Sequence, residues 1–231
     1  MESLKVIARL RNDFSTKFGL PRQSGLVEGI RGTIVFEGEF RNPDALRGLE
    51  GYSHIWLLWG FDRNKKEGWS ATVRPPRLGG NARMGVFATR SPFRPNPIGL
   101  SCVKIEEIEK TEQHGVVLHV SGADMADGTP IYDIKPYLPH VDSRPEATAG
   151  FAGEVAGYAL EVEFPQELLE QIEPEKREAL VGALRGDPRP SYQSDPERVY
   201  GFFFAGRDIR FRVRENVLRV VEIVPQEQKK A

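Results

Sequence analysis

The sequence predicts a mainly β protein: an antiparallel β-barrel made from a single sheet, followed by a smaller α+β domain. Up to about Phe164 the chain consists of short apolar runs bounded by Gly, Pro, Asn or Asp. No long helical pattern separates these runs, which favours an antiparallel barrel over a doubly wound sheet. Helical patterns appear only after Phe164. We place the boundary near residue 150, in the stretch PEATAGFAG, which gives domains at residues 1–150 and 151–231.

The predicted barrel strands share a short apolar segment with turn-forming residues at its ends. They are IRGTIVF, YSHIWLLWGF, MGVFAT, LSCVKIEEI, GVVLHVSG and TPIYDIKPY. The segment IWLLW shows no clean alternation, so it is predicted to be buried on both faces. One short helix is predicted at residues 43–49, with Asn42 as its N-cap and Pro43 as its first residue.

The second domain is predicted to combine two helices with a β-hairpin. The helices are expected at residues 165–171 and 174–185, because acidic residues fill the first turn of the second one and Gly186 follows it as a stop. The strand YGFFFA and the pair DIRFRVREN and VLRVVEIV come next, with the hairpin turn at Glu215-Asn216.

A row of arginines is predicted on one face of the strand DIRFRVR. Side chains alternate across a strand, so Arg210, Arg212 and Arg214 share the face opposite Phe211 and Val213. Three arginines on one face are suited to contact phosphate groups. They are equally suited to an exposed strand whose charges prevent edge-to-edge pairing, and the sequence leaves both interpretations open.

Composition excludes several classes of protein. The 231 residues carry a formal net charge of −1, so nucleic acid binding would need a local basic patch. The single cysteine, Cys102, excludes an internal disulfide framework and is expected only to pack. No run approaches the roughly 20 apolar residues of a membrane span. The start, MESLKVIARLRNDF, lacks the apolar run of a signal peptide, so we expect a cytoplasmic location and no membrane partner.

Common nucleotide-binding and catalytic motifs are absent. The sequence contains no G-x-G-x-x-G, no G-x-x-x-x-G-K-[ST] and no G-x-S-x-G, so a Rossmann domain is disfavoured. The histidines lack ligand spacing with one another or with Cys102, so no metal is expected. They are His54, His114, His119 and His140. His54 is predicted to be a hydrogen-bonded core residue.

Residues 68–105 form a basic segment without a single Asp or Glu. Its loops, TVRPPRLGGNARMG and TRSPFRPNPIG, are rich in Pro and Gly, which predicts stiff, shaped turns. The basic residues of the whole segment are Arg74, Arg77, Arg83, Arg90, Arg94 and Lys104. Solvated arginines in edge turns would explain one such loop. Two such basic loops in succession favour a different role, in which they form the rim of a binding site for an anionic or polar ligand.

An acidic cluster follows in SGADMADGTPIYDIKPYLPHVDS. Asp124 and Asp127 lie in a turn between two predicted strands, and Asp133 and Asp142 come shortly after. Such carboxylates can accept from the amine and hydroxyl groups of a ligand, although Asp residues in turns are often only cap formers. Their spacing is not that of a twelve-residue calcium loop.

Together these segments resemble the TsaA/TrmO family. The resemblance rests on VRPPRLGGNARMGVFATRSPFRPNPIGLS, DMADGTPIYDIKPYLP, KFGLPRQSGL and DPRPSY, spread over nearly the whole chain. It implies an S-adenosylmethionine-dependent tRNA methyltransferase acting on N6 of N6-threonylcarbamoyladenosine, immediately 3′ of the anticodon. It also implies a β-barrel that binds the methyl donor without a Rossmann fold, S-adenosylhomocysteine as product, and a homodimer with the donor site near the subunit interface.

The resemblance also implies a set of donor-binding residues, which come from five parts of the chain. They are Pro21, Arg22, Gln23, Asp62, Arg63, Arg90, Leu100, Asp124, Met125, Ala126 and Asp127. Relatives often carry His-Gln where this sequence has Asp62-Arg63, which alters the hydrogen bonds expected there. Asp62 still offers an acceptor for a ribose hydroxyl or the amino group.

In DPRPSY the resemblance points to Asp187, Arg189 and Tyr192 as the polar residues that reach the tRNA anticodon loop or the target base. The general base is left open among Asp187, Asp127 and Tyr192. Arg189 or Arg90 could clamp the carboxylate that the modified base carries. Two alternatives stay open: a non-catalytic RNA-binding barrel, and an S-adenosylmethionine-dependent methyltransferase of a small molecule.

Overall fold

The computed structural model describes residues 4–63, 68–75, 82–154, 156–189 and 195–225. Its strands are β1 (Ala8–Asn12), β2 (Arg31–Phe36), β3 (His54–Gly60), β4 (Thr72–Val73), β5 (Met84–Gly85), β6 (Ile98–Thr111), β7 (Gly115–Ser121), β8 (Pro130–Pro136), β9 (Glu161–Glu163), β10 (Tyr200–Phe204), β11 (Arg207–Arg214) and β12 (Val217–Pro225). Its α-helices are α1 (Pro139–Asp142), α2 (Phe151–Glu154), α3 (Gln166–Leu169) and α4 (Pro174–Arg185).

Six of these strands close into an antiparallel barrel in the order β1-β2-β7-β6-β3-β8, with β8 pairing back onto β1. The predicted barrel is confirmed, but the segment MGVFAT, predicted among its strands, lies outside it: Met84–Gly85 pairs only with β4, and Val86–Ala88 forms a 3₁₀ turn. A second sheet has the order β10-β11-β12-β9, in which β9 runs parallel to β12 and the other pairs are antiparallel. This sheet and α4 form the smaller α+β part of the predicted fold class.

Strand β3 shows how the barrel interior is filled. Ile55, Leu57 and Trp59 point inward and are buried, because alternate residues of a strand face the same side. Trp56 and Leu58 are only half-buried, so the prediction that IWLLW is buried on both faces is wrong. The Trp56 indole Nε1 lies 3.0 Å from an oxygen of Asp142 in α1, which satisfies its polar edge on the outside of the barrel.

A second apolar core lies under the C-terminal sheet. Leu180 and Leu184 of α4 pack there with Phe202 of β10 and Phe211 of β11, and all four are buried. Residues 13–30, the connection between β1 and β2, also enter this core through Phe14 and Ile30. The two parts of the predicted fold therefore share apolar contacts, and the division at residue 150 stays a prediction.

Several predicted helices are shorter in the structure. The segment at 43–49 forms a 3₁₀ turn at Pro43–Leu46, with the side chain of Asn42 accepting from the Asp44 amide as predicted for its N-cap. The helix predicted at 165–171 spans only Gln166–Leu169, whereas Pro174–Arg185 matches its prediction. Among the described residues, no helix is long and apolar enough to cross a membrane. The same residues contain no group of three His, Cys, Asp or Glu side chains placed to hold a metal ion.

Candidate functional site

A wide groove of about 1660 Å³ lies beside the barrel, where the Pro- and Gly-rich loops come together. Small-molecule sites typically measure about 300–1,000 Å³, so this groove has room for more than one small ligand. Residues 20–23, 70–75, 87–94 and 149–152 contribute to its walls. The stiff turns predicted from the sequence therefore share one cavity.

Local hydrogen bonds shape the loop that carries Arg90. The Thr89 hydroxyl donates to the Val86 carbonyl at 2.8 Å and accepts from the Ser91 amide at 3.2 Å. The Arg94 guanidinium donates to the Thr89 carbonyl at 3.1 Å. Arg94 therefore supports the loop, because its guanidinium is bound to the backbone of that loop.

The groove is positively charged and carries one half-buried carboxylate. Its described lining includes the cations Lys17, Arg22, Arg74, Arg83, Arg90 and Arg94. Asp124 is the acidic residue among the described residues that line it. A concave surface of one charge sign concentrates ligands of the opposite sign, so the groove suits an anionic or polar ligand.

Aromatic and apolar side chains provide flat surfaces at the groove. Trp59 and Phe61 contact each other with ring centroids 4.3 Å apart, and both line the groove. Phe87 is 74% exposed and stacks with Trp69 at 6.5 Å. Leu100 is 50% exposed on the same lining. Such surfaces can hold a planar heterocycle by stacking.

The structure brings the predicted residues of the PRQ motif to Arg90. Pro21, Arg22 and Gln23 all line the groove, and the guanidinium of Arg90 donates to the side-chain oxygen of Gln23. A loop near the N-terminus and a loop some 70 positions later thus form one wall. This contact orients the Arg90 guanidinium within the groove.

Asp124 is held from inside the barrel. Its Oδ1 accepts from the Ser101 hydroxyl at 2.6 Å, and that hydroxyl oxygen accepts from Trp59 Nε1 at 2.9 Å. Burial raises the pKa of Asp124, while the Ser101 hydrogen bond, backbone hydrogen bonds and the charge of Arg90 act in the opposite direction. Asp124 is therefore a shielded acceptor at the groove surface.

The other residues of the 124–127 turn lie elsewhere. Met125 and Ala126 are buried, and the Met125 side chain packs in the barrel core. Asp127 accepts from the Asn12 amide at 3.2 Å and lies 3.6 Å from the guanidinium of Arg11. Of this segment, the structure places Asp124 on the groove and the other three away from its lining.

Asp62 and Arg63 also lie outside the groove lining. The Arg63 guanidinium donates to the backbone carbonyls of Ser15 and Asp127. It therefore joins the β1–β2 connection to the 124–127 turn. The Asp62 amide donates to the Gly60 carbonyl at 3.0 Å, which closes the turn after β3.

Asp187 and Arg189 form a compact ion pair near the groove. Nε and Nη2 of Arg189 each donate to a different oxygen of Asp187 at 2.8 Å, and the Tyr158 hydroxyl donates at 2.9 Å. Burial raises the pKa of Asp187, but these hydrogen bonds outweigh it and hold the pKa below its ordinary value. The Asp187 carbonyl lies 3.5 Å from an Arg22 nitrogen, which connects the pair to the groove wall. Tyr192 lies outside the described residues.

The arginine row on β11 has the predicted alternation, since Phe211 and Val213 are buried and Arg212 and Arg214 are exposed. Its members differ in their partners. Arg210 contacts Asp208 at 2.9 Å and Glu222 at 2.7 Å, and Arg214 contacts Glu197 at 2.7 Å. Arg212 forms no ion pair among the described residues and stands opposite Arg219 of β12.

Three residues that shape the site, Ser101, Trp59 and Tyr158, are not among the residues predicted from the sequence. Ser101 is fully buried in β6, within the run IGLSCV, where the other inward positions are Gly99 and Val103. A polar residue at an inward strand position is a signal that could have identified it, since buried hydroxyls need partners. Tyr158 had no such signal, because its contact with Asp187 joins residues 29 positions apart.

The fold and the groove define a β-barrel protein with a basic, aromatic-walled binding site and an attached α+β unit. Comparison with known families agrees. A family model described as the tRNA-methyltransferase O N-terminal domain matches residues 9–143, and one described as the TrmO C-terminal domain matches residues 158–226. The chain belongs to the tRNA-methyltransferase O family.

Individual relatives extend over nearly the whole chain. It is 40% identical over 228 residues to the tRNA (adenine(37)-N6)-methyltransferase of Escherichia coli strain K12, covering 95% of this chain and 97% of that protein. It is 37% identical over 230 residues to a putative S-adenosylmethionine-dependent methyltransferase of Pseudomonas aeruginosa, covering 96% and 97%. A crystal structure of TrmO from P. aeruginosa aligns with a TM-score of 0.78 at 33% identity, covering 97% of each chain.

Proposed function

We propose that this protein methylates N6 of the adenosine immediately 3′ of the anticodon in tRNA, with S-adenosylmethionine as methyl donor and S-adenosylhomocysteine as product. The substrate base that we propose is N6-threonylcarbamoyladenosine. Family membership and the names of the relatives support the reaction class. The observation that carries it in this chain is the groove, where Asp124 and Arg90 meet an apolar wall.

The residues of the groove fit the chemistry of the donor. Asp124 offers a shielded carboxylate to an ammonium or hydroxyl group, and the Arg90 guanidinium offers charged donors to a carboxylate. Leu100 and Phe87 offer exposed apolar surface to a planar adenine. When bound, the donor supplies a methyl group on a sulfonium, which is already activated for transfer.

The protein's own contribution is mainly orientation. Holding two reactants in line can supply about 7–11 kcal/mol of the barrier. The turns around Arg90 are fixed by hydrogen bonds to their own backbone, so the groove is ordered before a ligand enters. We propose that this preorganised wall aligns the donor with the base.

The lone pair of the N6 atom is delocalised into the purine ring and the carbamoyl carbonyl, so loss of its proton matters for transfer. A general base works best when its pKa lies near the working pH. The pKa of Asp187 is held below its ordinary value by Arg189 and Tyr158. We therefore propose that Asp187 orients Arg189, which binds the substrate. Asp127 lies away from the groove lining and beside Arg11, so Tyr192 is the remaining candidate for the base.

We propose that the tRNA anticodon loop contacts the groove rim and the exposed Arg212 of β11. Bases of an anticodon loop are recognised by splaying and stacking rather than by reading a groove of the helix. The exposed pair Trp69 and Phe87 and the neighbouring arginines support such contacts. A homodimer and a cytoplasmic location also belong to this proposal.

Two measurements test the function. Calorimetry should detect binding of S-adenosylmethionine and S-adenosylhomocysteine, and binding of neither would favour a non-catalytic RNA-binding barrel. Methyl transfer should then require tRNA that carries the threonylcarbamoyl group. Equal turnover on the free nucleoside would favour a small-molecule methyltransferase instead.

Arg90→Ala separates the donor site from the tRNA surface. We expect this variant to lose donor binding in calorimetry, because it removes the cation that faces Asp124 and contacts Gln23. The matched variant Arg212→Ala should keep the donor affinity of the wild type. Equal losses of donor affinity in both variants would contradict the assignment of Arg90 to the donor.

A further inference from the structure

A chain of three hydrogen-bonded side chains leads from the barrel interior to the groove. Trp59 and Ser101 are 7% and 0% exposed, and Asp124 lies at the groove surface. The indole Nε1 lies 2.9 Å from the Ser101 hydroxyl oxygen, and that oxygen lies 2.6 Å from Asp124 Oδ1. Each link has normal hydrogen-bond geometry.

The chemistry of the three groups fixes the direction of this chain. An indole N–H can only donate, so it occupies an acceptor site on the Ser101 oxygen. The single hydroxyl hydrogen of Ser101 is then available to Asp124, which accepts it. The interior of the barrel therefore presents Asp124 with a donor, which favours its ionised form.

The neighbouring backbone is adapted to this arrangement. A Cβ atom at Gly99 would lie 2.2 Å from the ring of Trp59, so the absence of a side chain there makes room for the indole. Gly99 and Trp59 are partners in the β3–β6 register, and Ser101 follows on the same face of β6. Glycine and serine at these two positions thus set the indole and the hydroxyl in place.

We propose that Ser101, held by Trp59, is a positioning residue for the methyl donor: it orients the Asp124 carboxylate as an acceptor for the donor's ammonium or hydroxyl groups. This inference rests on the proposed function. A carboxylate has about four acceptor sites, and the Ser101 hydroxyl occupies one of them, on Oδ1. The remaining capacity of Asp124 is available to a ligand in the groove.

The groups that act on Asp124 give the inference a pH signature. Burial raises its pKa, and the hydrogen bonds from Ser101 and from the backbone lower it. Among the described residues, Arg90 is the charged group that acts on it, and it also lowers the pKa. Removing the Ser101 hydroxyl therefore raises the pKa of Asp124. As the pH is lowered, the Asp124 carboxylate of the variant becomes protonated at a higher pH than that of the wild type.

The test is calorimetric titration with S-adenosylhomocysteine from acid to neutral pH. We expect Ser101→Ala to bind about tenfold more weakly than the wild type at pH 7, the effect of one hydrogen bond to a charged group. We also expect its binding to weaken at a higher pH than in the wild type as the pH is lowered. Ser101→Cys, which keeps a similar size with a weak donor, should show both effects in smaller measure.

Ser121→Ala is the matched control. Ser121 is also buried and donates to a carboxylate, that of Glu106 at 2.5 Å, but neither residue lines the groove. This variant should bind as the wild type does at every pH. If Ser101→Ala and Ser101→Cys also bind like the wild type, the inference is wrong while the proposed function stands. If the wild type itself does not bind, the proposed function fails and the inference with it.

Discussion

Asp187 adopts a left-handed backbone conformation, with φ of +56°. Non-glycine residues rarely do so, although Asp tolerates it better than most. Its amide donates to the Leu184 carbonyl at 3.1 Å, so it closes the C-terminus of α4 just after Gly186. The Asp187 carboxylate then accepts hydrogen bonds from Arg189 and Tyr158. One residue thus ends a helix and anchors the loop that follows it.

Asp187→Asn tests this anchor, because Asn tolerates the same backbone conformation but carries no charge. We expect urea unfolding at pH 7 to show a loss of about 2–3 kcal/mol, since Arg189 loses its charged partner. The pKa of Asp187 is lowered in the folded state. Its charge therefore stabilises the protein above the ordinary pKa of 3.8, and this contribution disappears as the pH falls through the lowered value.

The exposed pair of Asp44 and Arg47 provides the control for that measurement. Asp44→Asn should change the free energy of unfolding by less than about 0.5 kcal/mol, as is usual for surface substitutions. A loss at Asp187 that is no larger, or one that persists unchanged at pH 2, would contradict the role of its charge.

Strand β11 illustrates what alternation alone predicts. Alternation placed three arginines on one face, and the structure agrees. It could not distinguish them, because their acidic partners come from β11 itself, from β12 and from the loop before β10. Two of the arginines have ion pairs, while Arg212 has none among the described residues. The phosphate-binding and edge-protecting interpretations therefore apply to different members of the row.

Arg212→Ala should weaken tRNA binding more than Arg210→Ala does. Arg212 can release counterions from a phosphate, whereas Arg210 is already neutralised by Asp208 and Glu222. We expect the slope of log affinity against log salt to become shallower by about 0.7–0.9 for Arg212→Ala. Filter binding over a range of salt concentrations measures it. Equal slopes for the two variants would show that the row does not contact phosphate through Arg212.

At the scale of the molecule, the β1–β2 connection joins the two apolar cores. Phe14 is 1% exposed and contacts Phe204 edge to face at 5.0 Å and Phe202 at 6.5 Å. Lys176 of α4 lies 2.9 Å from Asp13. Residues near the start of the barrel thus complete the core under the C-terminal sheet, and folding of one part supports the other.

Phe14→Ala should destabilise the protein by about 3–5 kcal/mol, the usual cost of removing a buried phenylalanine. Since Phe14 belongs to the second core, we expect that core to unfold before the barrel in the variant. All tryptophans of the chain, Trp56, Trp59 and Trp69, precede residue 150. Their fluorescence reports the barrel region, and far-ultraviolet circular dichroism reports the whole chain.

In the wild type the two signals should give one urea midpoint, as expected for a coupled structure. In Phe14→Ala the circular dichroism midpoint should fall below the fluorescence midpoint. Phe87→Ala is the control, because Phe87 is 74% exposed and should leave both midpoints nearly unchanged. Coincident midpoints in Phe14→Ala would contradict the coupling through Phe14.

Local patterns predicted the barrel, α4 and the hairpin of β11 and β12, because strand alternation and helix caps depend on residues that are close together in the sequence. They also singled out the loop of Arg90, whereas Pro21–Gln23 came from the family resemblance, and both line one groove. The contacts of Ser101 with Trp59 and of Tyr158 with Asp187 join distant positions, so no local pattern contains them. The packing of Phe14 in the second core could not be predicted for the same reason, because its partners are distant in the sequence.

The order of strands in the second sheet bears on how the protein is made. β12 lies between β11 and β9, so the sheet cannot be completed until β12 has left the ribosome. Until then the aromatic ring at position 14 has no finished core to enter, although the barrel strands have already been synthesised. Nascent chains therefore pass through a stage in which the Phe14 side chain is exposed. At that stage, binding to chaperones or association with other chains competes with completion of the fold.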